Sequence, residues 1–236
     1  SSILAMLIWQ TEIGIESQRR FCKFFVGLSH SRFNRRAKML LPLIRCIRQA
    51  WNQEVKVAGE FLIIDSFPVP VCQPVRNYRV KIFRDIADIG YKATKKVYYY
   101  GFKVHALVSD DGYLLDYAVT KASVHDAKET TELMINAHPI NHYLLGDEGY
   151  LGKDLAAELK GMGYVLWTPY RKNMKGAKKH NNHQLMAIRR TIESDFSLLS
   201  YYNAENNRAR SLAGFQQRLE IAILAYNMAY CLERFN

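Results

Sequence analysis

Two acids in this 236-residue chain end short apolar runs in the same way. Asp65 closes "FLIID", and Asp147 closes "HYLLGD". Both runs read as buried strands, and functional groups of open α/β sheets gather beyond the carboxyl ends of strands. A third acid, Glu193, lies in "HQLMAIRRTIESDFSLLS", where Leu185, Ile188, Ile192, Phe196 and Leu199 recur at steps of three and four. Glu193 stands about 100 degrees off that apolar stripe, at its margin, with Arg189 one turn earlier on the same side. Converging carboxylates repel: a pair about 4 Å apart costs about 1 kcal/mol in water and about 4 at an effective dielectric near 20. Such a cluster calls for cations. Hard oxygen donors without His or Cys suit Mg2+ or Mn2+. Two such ions, about 3.5–4 Å apart, can activate a water or hydroxyl and steady the leaving oxygen of a phosphodiester.

Taken singly, each acid also has a plainer reading. Asp65, Asp147 and Glu148 could be turn acids, and Glu193 could be a solvated helix residue paired with Arg189. Glu148 is the alternate for the second position and Asp195 for the third. Asp195 lies about 200 degrees from Glu193 on a helix, so only one of them can serve. Gly146 and Gly149, flanking Asp147, are read as letting backbone and carboxylate approach metal and phosphate closely.

The elements that must position these acids follow a recognisable order. "VYYYGFKVHALVSDDGYLLDYAVT" reads as two strands around Asp110-Asp111-Gly112. "DAKETTELMINA" reads as a helix opened by a capping box, Asp126 with Glu129. "GKDLAAELKGMG" is a helix stopped by Gly161 and Gly163, "YVLWTPY" is a strand, and two helices at about 183–201 and 211–235 end the chain. Strands alternating with helices predict an α/β fold: a mixed sheet flanked by helices on both faces. Residues 1–55 read as a small helical N-terminal region, with Phe33, Ala37, Leu40, Leu41, Ile44 and Ile47 at helical spacing and Ser29 or Ser31 as its cap. Residues 56–236 form the second, larger unit.

A formal net charge of +11, from 33 basic and 22 acidic residues, points to a polyanionic partner. Arg76, Arg79, Lys81, Arg84, Lys92, Lys95, Lys96 and Lys103 alternate with Tyr78, Tyr91, Tyr98, Tyr99 and Tyr100, a mixture suited to phosphate and base contacts, or else to a solvated hairpin whose tyrosines face the core. The connector carrying Arg171, Lys172, Lys175, Lys178 and Lys179 is a second basic candidate. "HSRFNRRAK", with Arg32, Arg35 and Arg36, is read as part of a helix-turn-helix whose turn has no distinctive glycine. Four scattered cysteines make neither a disulfide framework nor a zinc site, so a reducing cytoplasm is expected. No apolar run approaches the length of a membrane span, and "SSILAMLIW" lacks the basic residues and cleavage site of a signal peptide.

At "IIDSFPVPVC", "YYYGFKVHALVSDDGYLLDYAVTKASVHD", "LLGDEGYLGKDL" and "AIRRTIESDFSLL" the chain resembles the DDE transposases of bacterial insertion sequences, over about residues 61–200. The resemblance implies an RNase H-like domain whose triad, here Asp65, Asp147 and Glu193, holds two Mg2+ or Mn2+ ions. It implies strand cleavage and strand transfer at element ends, with double-stranded element and target DNA as partners, a homodimer pairing the ends, and a nucleoid-associated place in a bacterial cytoplasm. It also implies a supporting role for Arg189 and for the His125-Asp126 pair. Many relatives carry Tyr and Lys around the helix Arg and Glu, where this chain has Met186 and Ser200. Two nearer alternatives are an RNase H-like nuclease and a catalytically inactive, transposase-derived DNA-binding protein. A phosphatase with Asp65 as nucleophile would want an acid two residues on, where Phe67 stands.

Overall fold

In the computed structural model, the backbone is described for residues 2–55, 59–92 and 96–235. Four helices open the chain: α1 (Ser2–Glu12), α2 (Gln18–Phe25), α3 (His30–Met39) and α4 (Leu41–Glu54). The single basic helix expected after Ser29 is two, because Pro42 lacks the N–H an interior turn needs and instead takes the first turn of α4. Ser29 is the cap: its Oγ accepts from the Arg32 N–H. The four residues between α2 and α3 do contain a glycine, Gly27.

The sheet has six strands: β1 (Phe61–Pro70), β2 (Asp88–Lys92), β3 (Val97–Ser109), β4 (Leu114–Lys121), β5 (Tyr143–Leu145) and β6 (Val165–Trp167). Its order is β2-β3-β1-β5-β6, with β4 also paired to β3. β1 runs antiparallel to β3 and parallel to β5, and β5 runs parallel to β6. This is the RNase H-like mixed sheet. The β3–β4 hairpin turns at Gly112, whose φ of +93° suits the residue without a β-carbon. β2, an edge strand, was not legible in sequence.

Helices α5 (Thr130–Ala137) and α6 (Lys153–Gly161) cover one face of the sheet, packing Leu133, Met134 and Leu159 on Leu62, Ile64, Leu107 and Leu144. The short α7 (Ala177–His180) follows β6. On the other face α8 (His183–Tyr201) and α9 (Leu212–Phe235) pack Ile192, Leu199, Phe215 and Leu219 on Ile63, Val104, Ala106 and Val108. The opposite side of α9 gives Ile221 and Leu224 to the core of the N-terminal helices, beside Phe21, Phe33 and Ile44. α9 is thus buried between sheet and helical cap, as its nearly uniform apolar sequence anticipates. Among the described residues no helix is long and apolar enough to cross a membrane.

Candidate active site

Asp65 does not end its strand; β1 continues to Pro70. What ends is β5. The parallel pairing of β1 with β5 stops at Ile63 opposite Leu145, and each acid lies two residues beyond that pair. Past Leu145 the chain leaves the sheet, so Asp65 has no β5 residue paired beside it. Alternation of strand side chains puts Asp65 on the α8 side with Ile63 and Phe67, and Ser66 on the α5/α6 side with Ile64.

Asp65 Oδ1 accepts from the Ser66 N–H at 2.7 Å, and Oδ2 lies 3.4 Å from Arg189 Nη1. Burial, and then the charge of Asp147, push its pKa up to about 7, although the Ser66 N–H and Arg189 pull the other way. Asp147 caps a single helical turn, 148–150, accepting from the Gly149 N–H at 2.7 Å. Gly146 backs directly onto Tyr150: a β-carbon there would come within 3.0 Å of the Tyr150 Cβ. In this structure, packing under Tyr150 accounts for Gly146, and the cap on Asp147 for Gly149.

Glu193 lies toward solvent, its side chain 67 % exposed, and Arg189 Nη2 holds it at 3.3 Å. One guanidinium therefore bridges Asp65 and Glu193. Among the described residues no three His, Cys, Asp or Glu side chains are arranged to hold a metal ion. Asp195 points the other way, as helical geometry requires. It is buried, and its Oδ1 lies 2.9 Å from the Tyr226 hydroxyl. Glu148 is exposed.

The expected capping box is absent. His125 is the cap of the turn at 126–129, its Nδ1 accepting from the Ala127 N–H. Asp126 instead turns inward: its Oδ1 accepts from Ser66 Oγ at 2.7 Å and pairs with Lys103 Nζ at 3.0 Å. The competing partners won because they are charged or buried, whereas a cap there would face water. Sequence reading had no signal for Ser66 or Tyr150. His105, a polar residue inside the apolar run "VHALV", is such a signal.

A family model described as "Transposase DDE domain" matches residues 58–228, most of the chain. The protein is a DDE transposase. Among curated proteins, none matches it. Among solved structures it is similar to the catalytic core domain of BIV integrase, at 10 % identity and a TM-score of 0.41, covering 75 % of this chain and 97 % of that one. It is also similar to the Mos1 transposase paired-end complex with left transposon end, at 10 % identity and 0.30, covering 97 % and 78 %. The Mos1 mariner paired end complex with Mn is a third, at 10 % identity and 0.31, covering 94 % and 78 %.

The transposase displays its basic residues unevenly. Arg32, Arg35 and Arg36 are exposed on α3, opposite the buried Phe33 and Ala37. Lys38, on the same helix, joins Arg208, Arg210 and Arg218 around one groove. Arg171, Lys172, Lys175, Lys178 and Lys179 are all exposed on the connector, which is pinned at its base by Tyr170 stacked on His180 at 3.7 Å. Trp167 also stacks on His180. Lys92 is half-buried and Lys96 exposed, Lys95 falls outside the described residues, and Lys103 faces inward to Asp126. Tyr78, Tyr91 and Tyr98 are exposed, whereas Tyr99 and Tyr100 are core.

Proposed function

We propose that the transposase cleaves and rejoins DNA strands at element ends through Asp65, Asp147 and Glu193. The observation that carries this is the β1–β5 register, which puts Asp65 and Asp147 each two residues beyond its last pair, with Arg189 joining Asp65 to Glu193. The donor set suits a divalent cation: the donors are all carboxylates, and burial, then the charge of Asp147, push Asp65 up to about 7. Asp65 and Asp147 would hold the first ion, and Glu193 would complete the site after leaving Arg189. Bound there, Mg2+ or Mn2+ would polarise the scissile phosphate and acidify the attacking water or hydroxyl. Arg189, released from Glu193, would turn to a phosphate oxygen, for which its fork geometry is suited.

The exposed face of α3, the groove with Arg208 and Arg210, and the connector 171–179 are the proposed DNA contacts, on charge and exposure. A homodimer pairing two ends, in a bacterial cytoplasm, belongs to the same proposal. Asp147→Asn is expected to keep DNA binding and to lose at least about 10³-fold in strand cleavage in Mg2+, since the ion supplies several kcal/mol of charge stabilisation. Wild-type cleavage rates in that variant would refute the assignment. Joining of the cut strand to a second duplex, assayed alongside, separates a transposase site from a simple nuclease.

A further inference from the structure

The groove between α3 and the start of α9 gathers positive charge in excess of its counter-charge. Lys38, Arg208, Arg210 and Arg218 line it, and among the described residues no Asp or Glu does. α9 begins there. Ser211 Oγ accepts from the Gly214 N–H at 3.3 Å, so the positive end of a 24-residue helix opens on the same groove. Ser211, Gly214, Gln217 and Arg218 recur at helical spacing and share its groove side. Gly214 makes room for the lysine: a β-carbon there would stand 3.2 Å from Lys38 Cε.

Two further observations mark the place as incomplete. Gln217 is 2 % exposed, yet its Nε2 has no hydrogen-bond partner. Helical side chains lean toward the N-terminus, which turns this donor toward the mouth of the groove. Arg218 has no carboxylate partner among the described residues; its Nη1 donates to the Glu16 carbonyl at 3.4 Å. Burial, and then the charge of Arg208, lower its pKa, and burial, Arg19 and Arg218 lower that of His30, on the same groove. Buried donors and cations cost free energy until an acceptor reaches them. What they specify together is an anion with several acceptor oxygens.

One acid reaches in from the side. Glu16, in the link between α1 and α2, pairs through Oε2 with Arg208 Nη2, and its carbonyl is the Arg218 acceptor. Both side chains of that ion pair reach water, which makes the pair weak.

We propose that this groove is a phosphate site, where Lys38, Arg210, Arg218 and the Gln217 amide grip one backbone phosphodiester of bound DNA and Arg208 joins them by releasing Glu16. The inference rests on the reading of this groove as a DNA contact. It adds an exchange: Glu16 is the stand-in anion that the phosphate displaces. Arginine suits the exchange because its fork meets carboxylate and phosphate oxygens alike.

The test is fluorescence polarisation of a labelled random-sequence duplex with the full chain at several salt concentrations, circular dichroism confirming the fold of each variant. Arg218→Gln and Lys38→Gln are each expected to weaken binding about 10-fold and to reduce the salt slope by about 1. Lys160→Gln removes the same charge from α6, on the far side of the sheet, and is expected to bind within about twofold of wild type. Glu16→Gln is expected to tighten binding about two- to fivefold, because no ion pair has to be broken, and Glu158→Gln on α6 to change it by less. Should Arg218→Gln fail to fold, Arg210→Gln, at an exposed residue, takes its place and is read in the same way.

Groove variants that bind as Lys160→Gln does overturn the phosphate site while DNA binding by the wild type stands. A Glu16→Gln chain no tighter than Glu158→Gln overturns the exchange. Inorganic phosphate that raises the thermal midpoint of the wild type above a chloride control of equal ionic strength, with duplex binding unchanged in the groove variants, assigns the groove to free phosphate and overturns the phosphodiester. A wild type that binds no duplex at low salt defeats the DNA-contact reading itself.

Discussion

Asp195 and Glu193 sit two residues apart on α8 and meet opposite environments. The Tyr226 hydroxyl lies 2.6 Å from the Gly112 carbonyl and 2.9 Å from Asp195 Oδ1. Its one proton is shared between these two acceptors. Burial raises the Asp195 pKa to about 6, against the Tyr226 hydrogen bond. The native state therefore binds this proton more tightly than the unfolded chain. Asp195 favours folding below about pH 4, and that contribution is lost as pH rises through about 6. Asp195→Asn, which is neutral throughout, is expected to gain up to about 3 kcal/mol over wild type at pH 8 and little at pH 4. Urea midpoints at the two pH values check this; a gain that does not grow with pH would contradict it.

At the scale of elements, β5 is decisive because it is short. Three residues suffice to align Leu145 with Ile63, and its early end leaves Asp65 without a β5 partner. Support comes from behind, where α4 is tied to both β4 and α9. Arg48, 6 % exposed, reaches Glu220 at 3.0 Å and Asp116 at 3.2 Å and lies over the Tyr117 ring at 5.1 Å. Burial works against the charged guanidinium, and the two carboxylates offset it so that its pKa is raised. Arg48→Met strands Asp116 and leaves Arg45 as the cation paired with Glu220; it is expected to cost about 3–5 kcal/mol. Thermal unfolding should fall by roughly 10 °C. A shift within a degree or two would mean that the ion pairs contribute no net stability.

For the molecule as a whole, α9 is the shared wall. Its outer side completes the core of the first four helices through Ile221 and Leu224, and its inner side completes the sheet through Phe215, Leu219 and Ile223. Removing residues 1–55 would lay that outer side bare and leave buried Glu220 without Arg45 and Arg48. The shortened chain is expected to be insoluble or self-associated, as measured by light scattering against the full chain. A stable, monomeric 56–236 fragment would instead make the N-terminal helices an independent appendage.

The sequence alone determined the types and order of the main elements and the candidate acids. Alternation and helical periodicity are local, and "FLIID", "HYLLGD" and the α8 stripe carry them within a few residues. It missed β2, whose "DIGYK" has neither a clear alternation nor an apolar run, and it set Asp65 at a strand end that lies five residues further on. Only the tertiary structure decided that Asp126 serves Ser66 and Lys103 and does not cap its own turn, that Arg189 bridges Asp65 and Glu193, and that Lys103 points inward. Those choices join residues up to 124 positions apart. They depend on strand register and on which face of the sheet each side chain leaves, and no short window of sequence contains either.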